Sequence, residues 1–431
     1  MSSQNRFTRR QFLTHASALL AAPYFVPGRV LGADGATAAS NRVTVACIGV
    51  RGMGNNHLKT LLGDDSAQVV AICDVDSQVR QKALDLVAAK YADKIKKGTF
   101  KGADGYNDFR ELMARQDVEA VTIATPDHTH ALIAIAALKS GKDVYVEKPM
   151  TLTIKEGRAM VEAVRRYGRV LQVGSQRRSS GGVRRVCEMV RSGRIGQLQK
   201  VEVGCGSRPT GPQLWSPEPV PKGFDYELWL GPAPWQPYTS KRCHYNFRFV
   251  ADYSGGEMTN FGAHFLDVAQ WGIGADDTGP VEIEGKGDAH PTGLYDVFYR
   301  FDVQYTYANG VKLLCTSKSH GTRFIGSEGW ISEGGTGEPA ARFRFGIRPN
   351  EVHLYETRRG HIGNFLECVR TRKDPSAAVE TGHRTATVCH LGNIAMTLQR
   401  KLKWDPVKEE FPGDDEANRM TWRPYRQPWV L

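Results

Sequence analysis

Between Arg42 and Gly174 the sequence alternates between short, apolar, β-branched runs and amphipathic stretches of helical period. The runs cover 42–49 (RVTVACIG), 67–74 (AQVVAICD), 118–125 (VEAVTIAT), 143–148 (DVYVEK) and 169–174 (RVLQVG). The stretches between them predict helices near 53–62, 76–92, 107–115, 128–139 and 154–166. Strands apolar on both faces must be covered on both sides, and helices of this length between them make parallel crossovers. The pattern therefore predicts an α/β domain with a doubly wound parallel sheet of the Rossmann kind over 41–175.

After Gly174 the texture changes. A helix near 183–192 and a strand at 197–205 precede an irregular stretch rich in Pro and Trp, from Arg208 to Tyr238. Strands then follow at 281–288, 296–307 and 311–318, the last two joined through Asn309-Gly310, a hairpin signal. Helices at about 359–371 and 383–402 close the pattern. Residues 176–431 read as a second, α+β domain with an open, mainly antiparallel sheet. A chain of 431 residues is longer than one core usually supports, which fits two domains.

Residues 1–40 read as an address and linker rather than fold. Thr8-Arg9-Arg10-Gln11-Phe12-Leu13 resembles a twin-arginine export signal, with a mildly apolar stretch from Ala16 to Pro27 and small residues at Ala36-Thr37-Ala38 for cleavage. The expectation is a periplasmic or otherwise exported protein that meets the twin-arginine export machinery. No run of 18 apolar residues is present, so no membrane span is expected. The net charge of +11 is spread along the chain without a basic tract, which argues against a nucleic-acid partner. Eight cysteines, none at C-x-x-C spacing, give no thiolate metal site and predict few or no disulfides; His361, His383 and His390 lack ligand spacing, and no metal is expected.

The first strand runs into Gly49-Val50-Arg51-Gly52-Met53-Gly54. In a G-x-G-x-x-G turn the outer glycines make the bend and the helix–strand contact, and the middle one lets backbone approach a pyrophosphate. Here Arg51 holds the middle position and Gly52 stands beside it. Asp74 ends the second strand, where an acid bonds the adenosine ribose hydroxyls and disfavours a 2′-phosphate. Together these residues predict NAD as cofactor, with NADP the alternative. Arg177, His244, Tyr245 and Trp271 offer the charged donors and aromatic faces that suit a polyhydroxyl ligand.

Ala124-Thr125-Pro126-Asp127-His128-Thr129-His130, Glu147-Lys148-Pro149 and the stretch from Gly255 to Asp267 (GGEMTNFGAHFLD) add to this. With the glycine turn they resemble the glucose–fructose oxidoreductase, inositol dehydrogenase and MocA (Gfo/Idh/MocA) family, and an exported bacterial branch of it. The resemblance spans Asn41 to about Pro406. It implies cofactor contacts from Thr125, Pro126, His130 and Glu147, and an open sheet used for homo-oligomers, dimers or tetramers. It implies that Lys148 stands beside the nicotinamide and a substrate hydroxyl, and that His264 is the catalytic histidine. Where relatives such as inositol dehydrogenase carry Asp, one helical turn before that histidine, this chain has Asn260. The expected activity is hydride transfer to or from a sugar or polyol carbinol with a retained cofactor. The alternative is redox-neutral glycosidase, lyase or epimerase chemistry through a transient keto sugar. An imidazole titrates near working pH, which makes His264 the expected proton acceptor.

Overall fold

The computed structural model describes residues 42–431, so the segment read as an export signal lies outside the described residues. The first part runs β1 (Val43–Ile48), α1 (Gly52–Gly63), β2 (Ala67–Cys73), α2 (Ser77–Lys90), α3 (Ala92–Lys96), β3 (Asp104–Tyr106), α4 (Phe109–Met113), β4 (Ala120–Ile123), α5 (Asp127–Lys139), β5 (Asp143–Val146), α6 (Ile154–Tyr167) and β6 (Leu171–Val173). Its strands form a parallel sheet in the order β3-β2-β1-β4-β5-β6. Strands β1, β2, β4, β5 and β6 are buried on both faces, between two separate apolar clusters, and the short edge strand β3 is largely exposed. The order reverses between β1 and β4, and a crevice opens there at the carboxyl ends of the strands.

The second part continues with α7 (Gly181–Arg191), β7 (Leu198–Cys205), α8 (Tyr226–Leu230), α9 (Glu257–Asn260), α10 (Gly262–Ile273), β8 (Glu282–Ala289), β9 (Phe298–Thr306), β10 (Lys312–Thr316), β11 (His320–Gly326), β12 (Gly329–Ser332), β13 (Gly337–Glu338), α11 (Gly360–Thr371), α12 (Val379–Leu398), β14 (Leu402–Lys403) and α13 (Asp415–Arg419). The eight-stranded sheet has the order β13-β12-β11-β7-β10-β9-β8-β14 and is antiparallel except where β7 meets β10. Gly310 makes the β9–β10 turn at φ 85°, as the Asn-Gly pair predicts. All eight cysteines are free and buried. No helix among the described residues is long and apolar enough to cross a membrane.

Several elements depart from the sequence reading, which did not expect β3 or the helices α9 and α10. The last long helix spans Val379–Leu398 rather than 383–402. Gly382 lies inside it, its backbone packed against Val173, where a Cβ would meet a methyl carbon at 2.4 Å. Strands β11 to β14 were missed because they are short or glycine-interrupted and carry little period-two signal. The C-terminal helices also return to the first sheet: Ile362, Phe365 and Leu366 join one of its clusters, and Val379 and Ala386 the other.

The junction is pinned by Arg178, which is 3% exposed. Its Nε lies 2.9 Å from both carboxylate oxygens of Asp267, and its Nη2 donates to Asp276 at 2.8 Å. Thr385 of α12 donates to the same Asp267 at 2.9 Å. Arg178→Ala strands Asp267 without its partner and should cost about 3–5 kcal/mol of unfolding free energy, read by denaturant titration. A loss within about 0.5 kcal/mol, the span of ordinary surface changes, would contradict this role for the pair.

Candidate active site

A cavity of about 360 Å³ occupies the crevice. One wall is the turn after β1. Gly49 has φ 74°, and a Cβ there would lie 2.9 Å from the Ala124 carbonyl; a Cβ on Gly54 would lie 1.8 Å from the Gly49 oxygen. These two glycines let β1, β4 and α1 approach one another. Gly52 has φ 48° with open space around it, and Arg51, Gly52 and Met53 line the cavity where α1 begins. Helix N-termini hold phosphates through free amides and the helix dipole. The Arg51 side chain turns outward to Asp76 at 3.0 Å, so its position at the fingerprint's middle leaves the turn unobstructed.

Asp74 lines the same cavity. Its two oxygens accept from Val50 N and Asp76 N, both at 2.9 Å. Each oxygen keeps a lone pair for a hydroxyl. Burial pushes its carboxyl upward, against those two hydrogen bonds. A glycine cradle, a helix N-terminus and a strand-end acid in one cavity fit a dinucleotide.

The loop after β4 supplies Thr125 and Pro126 to the lining. His130 also lines it, but both ring nitrogens are engaged at 2.8 Å, Nδ1 with Pro149 O and Nε2 with Thr125 O. It therefore braces two loops. Glu147 is buried, with His57 Nε2 3.0 Å from its Oε1 and Gln176 Nε2 donating to that oxygen at 2.7 Å. Burial alone would raise its carboxyl, but His57 and Lys148 prevail and hold it well below the ordinary range.

Lys148 follows β5 through a cis bond to Pro149 and reaches the cavity wall. Its Nζ donates to Asn260 O and Oδ1, both at 3.1 Å. Burial lowers its pKa, with Glu147 opposing and Arg248 assisting. Asn260 in turn donates from Nδ2 to Glu257 Oε2 at 3.1 Å. Glu257 is 1% exposed, and its Oε1 has no hydrogen-bond partner among the described residues. The carboxylate absent at position 260 is thus present one turn earlier, linked to Lys148 through the Asn260 amide.

His264 corrects the titration expected from sequence. Burial, helped by the charge of Lys148, pushes its imidazole down to about 3, so the ring is neutral at working pH. Its Nδ1 is buried and unpartnered among the described residues. Neither Asn260 nor His264 is in the cavity lining, and Arg177 is also outside it, paired with Glu333 at 2.7 Å and lying over Phe265 at 4.4 Å. His244 and Tyr245 do line it. His244 packs on Phe224 at 5.7 Å, and its imidazole is lowered by burial and then by Arg51. Tyr245 stands half exposed at the rim beneath the Arg248 guanidinium, 4.5 Å from its ring. Trp271 is a core residue under Arg178. Sequence reasoning missed His57, inside a predicted helix, Glu257, inside the quoted 255–267 stretch, and Arg248 and Trp429, whose only signal was a polar or aromatic side chain in an unassigned segment.

Two family models match the chain: an oxidoreductase family NAD-binding Rossmann fold over residues 43–175, and an oxidoreductase family C-terminal alpha/beta domain over 181–431. The chain belongs to the Gfo/Idh/MocA oxidoreductase family, and its first part is the family's NAD-binding fold. It is 32% identical over 183 residues to inositol 2-dehydrogenase of Salmonella typhimurium, covering 42% of this chain and 51% of that protein, so it spans about half the length of that relative. It is 26% identical over 354 residues to scyllo-inositol 2-dehydrogenase (NAD(+)) of Bacillus subtilis, covering 78% of this chain and 88% of the relative. The WlbA dehydrogenase of Bordetella pertussis, solved with NADH and UDP-GlcNAcA, superposes with a TM-score of 0.60 at 18% identity over 84% of this chain and 99% of that one.

Asp74→Ser removes the acid that repels a 2′-phosphate. It should weaken NAD binding and favour NADP in relative terms, by about tenfold or more in the ratio of dissociation constants, one missing charged hydrogen bond being worth roughly 1.5–3 kcal/mol. An unchanged ratio in equilibrium titration would remove Asp74 from the site.

Proposed function

We propose that this protein oxidises a carbinol carbon of a sugar or polyol, or reduces the matching ketone, and keeps its NAD through turnover. The observation that carries the reading is the half-buried Lys148 ammonium, held by Asn260 at the wall of the dinucleotide cavity. Two relatives named as inositol dehydrogenases support the polyol class.

The 49–54 turn and Asp74 would hold NAD, which would supply the hydride acceptor for the carbinol carbon. Lys148, in its neutral amine form, accepts the hydroxyl proton at Nζ, and as the ammonium returns it in the reverse direction. Burial favours the amine, so the proton acceptor is present at a lower pH than for an ordinary lysine. The two Asn260 oxygens fix where Nζ sits, and Glu257 fixes the Asn260 amide. His264, neutral and with its Nδ1 buried outside the cavity lining, is assigned no substrate contact. Glu147 is spent on His57 and Gln176, and we assign it to holding the strand end.

Retention follows from the proposed export. A protein carried out folded can take its dinucleotide along, and a cofactor released at each turnover would have little outside to replace it. Hydride then leaves on a second substrate or returns to the first. Protein dialysed free of loose nucleotide should remain active with a sugar pair and no added NAD. Activity that returns only with stoichiometric NAD would overturn retention.

Lys148→Ala should lower turnover by roughly 10²–10⁴ while leaving NAD affinity near wild type. In the wild type, kcat/KM for oxidation should rise with pH and level off at a pKa below that of an ordinary lysine, and for reduction it should fall over the same interval. Near wild-type turnover in Lys148→Ala, or a pH limb that persists in it, would sink the assignment.

A further inference from the structure

The last residues of the chain form a strap that ends in the dinucleotide cavity. Thr421 O accepts from Lys155 N at 3.1 Å, Arg423 donates to Ala251 O at 2.6 Å, and Tyr425 donates to Glu156 at 2.6 Å. Arg426 is the main fastening. Its backbone N donates to Pro232 O at 2.9 Å, its side chain donates to Ala233 O at 3.0 Å and Gly231 O at 2.9 Å, and it pairs with Glu227. Trp429 then turns back on Arg426 O at 3.0 Å and lines the cavity, only 9% exposed. Its ring lies nearly parallel to Phe109, with centroids 6.2 Å apart, and the Arg110 guanidinium sits 5.0 Å from its centroid. Leu431 packs on a core cluster of the parallel sheet.

The wall that Trp429 completes adjoins the ribose acid. Asp74 N donates to Tyr106 O at 3.2 Å, and Arg80 bridges the Asp74 carbonyl and the Asn107 side chain. Phe109 follows two residues later and lines the cavity with Leu132, Ile133 and Trp429. An acid for ribose hydroxyls beside a flat apolar and aromatic wall is the arrangement an adenosine needs. Aromatic side chains stack on nucleobases through their π-faces.

We propose that Trp429 forms part of the adenine subsite and that the strap, by seating it there, slows release of the dinucleotide. The proposal rests on the dinucleotide reading of the cavity and gives retention a structural means. For the adenine end to leave, Trp429 must swing out or the strap must lift, and lifting breaks the Arg426 bonds to the 231–233 turn. No sequence motif marks this contact, because it joins the end of the chain to a helix more than three hundred residues earlier.

The test compares full-length wild type with Trp429→Ala and Trp429→Phe. Two quantities are read: NADH release, chased with excess NAD and followed by nicotinamide fluorescence, and equilibrium affinity for NAD against nicotinamide mononucleotide, which has no adenine. Trp429→Ala should speed NADH release and weaken NAD by roughly ten- to hundredfold, the range of one lost base–aromatic stack. Trp429→Phe should keep most of the stacking, and mononucleotide affinity should stay near wild type in both variants. NADH release from Trp429→Ala at the wild-type rate would overturn the proposal. So would an equal loss for the mononucleotide, which would assign Trp429 to the general integrity of the cleft. Free NAD exchange by the wild type would instead overturn retention, while the comparison of the two nucleotides still decides the role of Trp429.

Discussion

The half-buried Lys148 ammonium imposes the constraint around which the crevice is built. A lysine drawn partly out of water is costly unless its donors are met, and here the acceptors come from Asn260, more than a hundred residues away in the second part. That hydrogen bond brings the carboxyl end of β5 against α9. It thereby sets the position of α10, which continues from α9 and carries His264. Burial shifts Lys148 toward its neutral form, and the burial of His264 itself, helped by the lysine's charge, lowers that imidazole.

Support for that placement is layered. Gly174 carries no side chain, and a Cβ there would lie 2.6 Å from a Glu147 oxygen, so β6 can close on the carboxylate next to Lys148. His130 ties the loop after β4 to Pro149, so the two loops that carry Thr125 and Lys148 are braced against each other. Arg178 and Asp267 hold the junction from below. The C-terminal helices add apolar surface to both clusters of the parallel sheet. The chain's end completes the cavity it leaves from.

Much of this was legible in sequence wherever the signal is local. Period and composition marked the parallel strands, and the glycine turn and Asp74 lie at fixed distances from strand ends. Lys148 was legible from its motif. Contacts made by tertiary approach were not. Glu257 sits where the motif attracts attention to Asn260, yet only the fold shows that the amide passes the lysine's hydrogen bond to a carboxylate. His244 reads in sequence only as an aromatic donor, and its left-handed backbone, φ 58°, and its packing on Phe224 appear only in the fold. His264 looked titratable because a histidine's ordinary pKa carries no information about its burial. Trp429 carried no signal, since a terminal tryptophan in a polar stretch reads equally as loose chain.

The central claim is that a carbinol hydrogen passes to a nucleotide the protein already holds. The most direct measurement is the mass of nucleotide released by denaturation after purified protein, with no added NAD, meets a panel of sugars and inositols deuterated at their carbinol carbons. The account predicts that at least one member yields reduced nucleotide carrying a single deuterium. Nucleotide that stays unlabelled with every member of the panel would contradict it.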